Sequence, residues 1–436
     1  MASMARGGLV RGIGRGSMVA LFINSVIGAG IFGLPSRVHE LLGPYALLAY
    51  VACALLVLLV VLCFAEVGSR FEDTGGPYLY ARTAFGPFVG FQVGWLVWLT
   101  RVTAFAALCN LLIDYLAHPW PALASGGGRI AVATLATVVI AAVNIRGVRT
   151  AAIVANVFTV GKLVPLVLFV AIGLFFVEPA RYVPASTPAP MEFTAAILLL
   201  VFAFTGFETA TVPAGEVREP RRTLPFAILA SMAVIVPLYL LIQAVAIGTL
   251  PGLADSTTPL ADAAGSFAGS LGASVIVLGA VVSISGTLNG LVLAAPRILY
   301  AMAEQGQLPA AFARTHARYR TPYLAIGLTA ACMLVLTLSG SFLTAVALST
   351  ITRLLAYAAT CLAVPVLRRR EGAGVAAAAF TVPAGTWVAG VAMLVIAWLV
   401  LHAGVGELRN VGIAMAVGAL LMWLAGRARR APASPA

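Results

Sequence analysis

Two glycine-containing stretches interrupt long apolar segments and could expose backbone hydrogen-bonding groups. The first is Gly28-Ala29-Gly30-Ile31-Phe32-Gly33, within the apolar run 18–34, and the second is Thr205-Gly206, within the run 193–214. Glycine costs a helix about 1 kcal/mol relative to alanine, so a helix can break at either stretch. Inside a membrane, freed amides and carbonyls are tolerated only where protein buries them or where they line a cavity. Both stretches are therefore candidate binding segments.

The direction of the chain gives the two breaks opposite electrical character. If the first segment runs outward, an outer half-helix starts near Gly30, and its free amides suit a carboxylate. The second segment then runs inward, and an outer half-helix ends near Phe204 and Thr205, where carbonyls suit an ammonium group. A carboxylate beside an ammonium describes the backbone of an amino acid. The expected substrate-binding residues at the breaks are Val26, Ile27, Gly28, Ala29, Gly30, Ile31, Phe204, Thr205 and Gly206.

Cofactor and metal chemistry are not expected. Gly28, Gly30 and Gly33 match the spacing G-x-G-x-x-G, but a dinucleotide site also needs a preceding strand, a βαβ unit and a later acidic residue. The cysteines and histidines are scattered without metal-ligand spacing. We therefore predict neither a nucleotide nor a metal ion at the first break.

Three cations, Arg101, Lys162 and Arg353, lie within apolar segments, where charges are costly and are candidates for function. Lys162 is the only lysine among 27 lysines and arginines. Arginine stays protonated in proteins, whereas the pKa of a buried lysine can fall from about 10.4 to about 5–6. Lysine therefore suits a group that alternates between charged and neutral forms. Lys162 is either such a proton-linked switch or a fixed cation that satisfies helix-end carbonyls.

Glu208 follows the second break by two residues. Its carboxylate suits a helix N-terminus and could pair with an intramembrane arginine, or it could act as a gate or a proton-sensing acid. We expect Arg101 and Arg353 to be structural or gating partners. An enzyme would need acids, nucleophiles or metal ligands that converge from several segments. Glu208 is nearly the only acidic residue within the predicted spans, so no enzymatic activity is predicted.

Composition places these residues in a polytopic membrane protein. The 436 residues are 61% hydrophobic and 10% charged, against about 25% charged in soluble domains. The formal net charge of +12 comes from arginines between the apolar segments, a pattern that indicates anionic lipid and not nucleic acid as the partner. Arg6, Arg11 and Arg15 precede an apolar run as in a signal peptide, but without a clear cleavage site we expect an uncleaved first span.

The sequence predicts an all-α fold with twelve transmembrane helices. They cover residues 17–36, 43–65, 87–117, 129–146, 151–177, 193–214, 223–249, 270–300, 323–339, 341–367, 384–403 and 408–426. With the N-terminus inside, cytoplasmic segments hold twenty arginines, and outer segments hold only Arg37, Arg129, Arg181 and Arg409. This bias predicts cytoplasmic N- and C-termini in the cell membrane.

The two interrupted segments are five segments apart, which is typical of transporters built from two inverted repeats. We predict a cytoplasmic segment 1–16, a first five-helix repeat 17–177, a second repeat 193–367, two further helices in 384–426 and a cytoplasmic tail 427–436. In this arrangement helices 1 and 6 are unwound near the middle of the membrane.

Nearly the full length of the chain resembles the amino acid–polyamine–organocation superfamily of permeases. The motifs are NSVIGAGIF at 24–32, FAEVGS at 64–69 with TGGPYLY at 74–80, FTGFE at 204–208 with GEVREPRRTLP at 215–225, and PR at 296–297. The resemblance implies the leucine-transporter fold and sodium-independent amino acid transport. It also implies that Lys162 takes the place of a sodium ion between helices 1, 5 and 8, with Ser283, Ser285 and Thr287 as nearby hydroxyl candidates.

Two positions depart from the arginine/agmatine exchangers of that superfamily, which hold a cationic side chain with tryptophans. Phe202 and Leu291 stand at the matching positions here, and cation–π binding is strongest with tryptophan. We therefore expect a substrate with a neutral or hydrophobic side chain. The predicted function is amino acid transport coupled to protons through Lys162. The alternative is an amino acid or amine exchanger in which Lys162 is a fixed cation, and the oligomeric state is left open.

Overall fold

The computed structural model describes residues 11–146, 151–184 and 186–430, without the side chains of 151–160 and 428–430. The regular secondary structure of this part is helical, with two isolated β-bridges. The helices are α1 (Arg15–Val26), α2 (Gly30–Leu42), α3 (Ala46–Gly68), α4 (Pro77–Phe85), α5 (Pro87–Ala117), α6 (Gly126–Arg146), α7 (Ala151–Gly173), α8 (Pro190–Phe204), α9 (Phe207–Ala210), α10 (Pro220–Thr249), α11 (Pro259–Glu304), α12 (Tyr323–Ser339), α13 (Phe342–Arg369), α14 (Gly385–Leu401) and α15 (Val405–Arg430).

Both expected helix breaks are present. In the first segment α1 ends at Val26 and α2 begins at Gly30, with Ile27 in an extended conformation between them. In the sixth segment α8 ends at Phe204 and the short α9 begins at Phe207. Gly206 has φ +119°, a conformation that side chains with a Cβ rarely adopt.

Eight helical stretches of the described chain are long and apolar enough to cross a membrane, when α2 is counted together with α3 and α8 together with α9. They are Gly30–Gly68, Pro87–Ala117, Gly126–Arg146, Pro190–Ala210, Pro220–Thr249, Pro259–Glu304, Phe342–Arg369 and Val405–Arg427. Three shorter apolar helices cover Gly161–Phe176, Tyr323–Ser339 and Gly385–Leu401. Each of the twelve predicted segments contains helix, whereas the number of membrane crossings remains a prediction. The chain is thus a multi-pass, helical membrane protein.

Burial separates central from peripheral helices. The most apolar window of α5 is 94% buried, so α5 lies in the interior of the bundle. The corresponding windows of α6 and α15 are only 17% buried, and these helices therefore present apolar side chains to the lipid. The central position of α5 brings its side chains, including Arg101, against α11 and α13.

A buried ion-pair network joins α3 and α13 at one end of the bundle. The carboxylate of Glu66 accepts hydrogen bonds from Nε and Nη2 of Arg368 at 2.6 and 2.7 Å. It also accepts one from the backbone N–H of Val382 at 2.9 Å, and Arg70 Nη2 lies 3.6 Å away. Because the Glu66 side chain is only 1% exposed, these donors replace nearly all of its hydration.

Candidate functional site

A cavity of about 50 Å³ lies between the two helix breaks. Ten of the residues proposed from the sequence line it: Val26, Gly28, Ala29, Gly30, Arg101, Phe202, Thr205, Gly206, Leu291 and Arg353. They come from α1, α2, α5, α8, α11, α13 and the breaks themselves. The fold therefore brings both interrupted segments to one cavity, as the helix-dipole argument requires.

Two glycines allow the backbones of the broken helices to touch. A Cβ atom added to Gly30 would lie 2.5 Å from the Cα atom of Ala203 in α8. A Cβ atom added to Gly206 would lie 2.2 Å from the carbonyl oxygen of Ser25. Because both neighbours are backbone or near-backbone atoms, neither can move aside locally. Glycine is therefore required at each crossing by space, and at Gly206 by the positive φ as well.

Backbone amides at the first break are available to a ligand. The N–H groups of Phe32 and Gly33 donate to the carbonyl oxygen of Ala29 at 3.0 Å. Within the described chain the amides of Gly28 and Ala29, two residues that line the cavity, donate no such bond. Free amides at the start of α2 carry partial positive charge, so this side of the cavity suits a carboxylate.

Lys162 anchors the end of α1. Its Nζ donates hydrogen bonds to the carbonyl oxygens of Asn24 at 3.1 Å and of Ile27 at 2.8 Å, and the residue is 1% exposed. Carbonyls at a helix C-terminus lack helical donors, and their partial negative charge favours a cation. The ammonium group therefore replaces the amide donors that α1 lost when it broke.

No hydrogen bond joins Lys162 to Ser283 or Ser285 in the described chain, although α7 and α11 pack closely at this level. A Cβ atom on Gly161 would lie 3.1 Å from Cγ1 of Val282. Ser283 Oγ is buried without a hydrogen-bond partner, and the Oγ1 of Thr287 donates to the carbonyl of Ser283 at 2.9 Å. A role for the two serines beside Lys162 remains a prediction.

Glu208 has two independent sets of contacts. One oxygen lies 3.1 Å from Nε of Arg353, and the other accepts the backbone N–H of Gly206 at 2.9 Å and the hydroxyl of Tyr357. Arg353 also donates to Thr205 Oγ1, and its guanidinium carbon lies 5.9 Å from the ring centre of Phe202. The carboxylate is thus the acid partner of Arg353 and holds the start of α9 at the second break.

Arg101 lines the same cavity and is only 4% exposed. Its Nη1 donates to the carbonyl oxygen of Ala294 at 3.2 Å. Among the described residues no carboxylate lies within 4.0 Å of its guanidinium. Arg101 is therefore a buried cation beside the cavity without a paired acid.

Three of the expected substrate-binding residues lie outside the cavity wall. Ile27 contributes its carbonyl oxygen to Lys162 and points its buried side chain into the core. Ile31 is fully buried on α2. The ring of Phe204 packs against Tyr50 and Tyr239, with centroid distances of 6.0 and 5.2 Å. The side chains of these three residues support the breaks and do not face the cavity.

Five further residues line the cavity, of which only Thr287 has been named above, as a hydroxyl candidate near Lys162: Ser25, Ala104, Leu108, Thr209 and Thr287. Two helical spacings in the sequence could have found most of them. Ala104 and Leu108 follow Arg101 by three and seven residues, and Thr287 precedes Leu291 by four, so each set shares a helix face. Ser25 and Thr209 lie near the breaks, where helical spacing gives no guide to side-chain direction.

A second cavity, of about 270 Å³, lies next to the first. Its lining includes Gly33, Arg37, Asp114, Arg129 and Phe342. Phe342 meets Phe202 edge-on, with ring centres 6.5 Å apart, so this aromatic pair lies between the two cavities. We call the second cavity the vestibule.

The sequence of residues 13–425 matches the family model described as amino acid permease. The chain belongs to the amino acid permease family. This membership fits two helix breaks that face one cavity, and it places the protein among transporters, not enzymes.

Known relatives show what neighbouring members carry. The chain is 31% identical to the serine/threonine exchanger SteT of Bacillus subtilis over 76% of this chain and 77% of the relative. It is 27% identical to the methylthioribose transporter of the same organism, with 72% of each chain covered. It is 29% identical to the chloroplastic cationic amino acid transporter 9 of Arabidopsis thaliana, over 71% of this chain and 58% of the relative. Family membership therefore leaves the substrate's side chain open.

Proposed function

We propose that this permease carries an amino acid across the cell membrane by alternating access. The observation that supports this most strongly is the single cavity bounded by free amides of the first break and by the C-terminal end of α8. An α-carboxylate would bind at the amides of Gly28 and Ala29. An α-ammonium group would bind near the carbonyls that end α8 at Phe204.

The proposed architecture is two inverted five-helix repeats, residues 17–177 and 193–367, followed by two helices, with both termini in the cytoplasm. The two breaks occupy corresponding positions in these repeats, which supports the assignment. Within this arrangement the vestibule lies on the outer side of the site, and the pair Phe202–Phe342 closes the site toward it.

Sodium-independent coupling to protons through Lys162 is the mechanism we propose for driving uptake. Charged Lys162 holds α1 through two carbonyls, and loss of its proton would weaken that hold. Exchange is the second candidate, because the same two hydrogen bonds suit a fixed cation and because one relative is named an exchanger. In an exchanger Lys162 would stay charged throughout the cycle.

The cavity wall contains two features that favour different side chains on the substrate. Phe202 and Leu291 favour the neutral or hydrophobic side chain expected from the sequence, whereas the guanidinium of Arg101 favours a side chain that accepts hydrogen bonds.

The general proposal is tested by reconstituting the protein in liposomes and measuring uptake of a mixture of radiolabelled amino acids. Uptake driven by an amino acid or proton gradient supports it. Absence of uptake and of counterflow for every amino acid contradicts it.

A further inference from the structure

Among the described residues, Arg101 has neither an acid within 4.0 Å, as Arg353 has, nor two hydrogen bonds, as Lys162 has. Arg353 lies 3.1 Å from Glu208, and Lys162 is held by two backbone carbonyls. Arg101 has one backbone carbonyl as its acceptor, while a guanidinium group carries five N–H donors. A buried cation with so few partners is costly, and an anion that binds beside it recovers much of that cost.

The charges around the cavity indicate which charge a substrate would have to supply. Glu208 is paired with Arg353 and also attracts Arg101, so these two arginines and one acid together leave one positive charge beside the cavity. A zwitterionic amino acid adds no net charge, and its ammonium and carboxylate groups already have positions at the two breaks. A substrate side chain with negative charge would balance the positive charge of this wall.

The vestibule is lined by charged groups of both signs. Arg37 and Arg129 line it together with Asp114, and they are two of the four arginines on the predicted outer side. Asp114 lies 4.0 Å from Arg129, and Arg37 pairs with Glu40 at 3.0 Å. Each vestibule arginine therefore has an acid close by, so the positive charge that favours an anion is that of Arg101 in the first cavity.

We infer that the transported amino acid carries a carboxylate on its side chain and that Arg101 binds this carboxylate. The inference rests on the amino acid transport proposed above and deepens it by naming the substrate class. A guanidinium can bind a carboxylate through two parallel hydrogen bonds, which distinguishes an acid from its amide. Phe202 and Leu291 then pack against the methylene part of the same side chain.

The test compares L-aspartate with L-asparagine, which has nearly the same shape and no side-chain charge. Binding to the purified full-length protein is measured by thermal shift and by competition with radiolabelled aspartate. We expect wild type to prefer aspartate by about 10- to 100-fold, the range for hydrogen bonds to a charged group. Arg101→Gln should lose this preference but still bind asparagine. The exposed Arg409 gives a matched control, because Arg409→Gln should keep the preference.

The outcomes separate this inference from the general function. Wild type that binds asparagine or leucine more tightly than aspartate overturns the inference and leaves amino acid transport standing. Wild type that binds no amino acid overturns both. Arg101→Lys, which keeps the charge but not the planar fork, should show an intermediate preference. If Arg101→Gln fails to fold, the wild-type ratio and Arg101→Lys still decide the question.

Discussion

The Nζ atom of Lys162 lies 2.8 Å from the carbonyl oxygen of Ile27, the residue that caps α1 at the first helix break. This contact joins the only lysine in the chain to the segment that bounds the cavity. A change in the charge of Lys162 would therefore act directly on the end of α1, one residue before Gly28.

Substitution of Lys162 separates a proton switch from a fixed cation. In proteoliposomes we expect Lys162→Gln to abolish uptake driven by a pH gradient, because the glutamine side chain cannot carry the alternating charge. Lys162→Arg keeps the charge permanently. If Lys162 is a switch, the arginine variant should lose pH-driven uptake but still bind substrate in a thermal-shift assay. Wild-type rates in both variants would contradict any coupling role, and activity in Lys162→Arg alone would favour the fixed cation.

The glycine crossing at Gly30 should not accept even a methyl group. Gly30→Ala places a Cβ atom against the backbone of Ala203, so we expect a loss of stability of about 1–3 kcal/mol and a loss of substrate binding. Thermal unfolding in detergent, with and without amino acid, measures both effects. Gly327→Ala on α12 is the matched control, because no atom lies within 4 Å of its added Cβ. The control should be neutral or more stable by up to about 1 kcal/mol. Equal behaviour of the two variants would contradict the close approach of α2 and α8.

The ion pair of Glu208 with Arg353 should contribute far more to the free energy of unfolding than an exposed pair does. Glu208→Gln leaves the Arg353 guanidinium buried without its acid, and we expect a loss of about 3–5 kcal/mol. In the exposed pair Arg37–Glu40, Glu40→Gln should change stability by less than about 1 kcal/mol. Chemical or thermal unfolding of both variants provides the comparison. A Glu208→Gln protein as stable as Glu40→Gln would show that the pair does not hold α9 to α13.

The network around Glu66 gives a similar test at the C-terminal end of α13. Arg368→Met removes the bidentate hydrogen-bond donor of the Glu66 carboxylate, which is 1% exposed. We expect a loss of about 3 kcal/mol, the lower limit for a broken buried pair, because the Arg368 side chain is itself 30% exposed. Its exposed neighbour supplies the control, and Arg369→Met should leave the unfolding midpoint unchanged. Equal losses in the two variants would argue against a structural role for the network.

Much of the helical framework could be predicted because its signals are local. Apolar length located the helices, and the span predicted at residues 87–117 coincides with α5. The glycines located both breaks, since loss of helix propensity depends on the residue and its immediate neighbours. Chain direction then assigned amides to one break and carbonyls to the other. Recognition of the permease motifs gave the family, which the match over residues 13–425 confirms.

Partners of the buried charges could not be predicted in the same way. Glu208 and Arg353 are far apart in sequence, and no local pattern indicates that α9 and α13 meet. The sequence alone does not distinguish Arg101 from Arg353, because both are cations within apolar segments. In the folded chain Arg353 pairs with Glu208. Arg101 faces the cavity, and its hydrogen-bond acceptor is the backbone carbonyl of Ala294.

The sequence by itself determined that this protein is a multi-pass helical permease with two interrupted helices, because composition, apolar length and glycine position are read along the chain. Only the tertiary structure decided which groups share the cavity. Direct contact between Gly30 and Ala203, and between Gly206 and Ser25, sets the spacing of the two breaks. Electrostatic balance in the cavity depends on distances of a few ångströms between helices that are remote in sequence. Those distances are fixed by packing, and for this reason the unpaired charge of Arg101 is visible only in the folded chain.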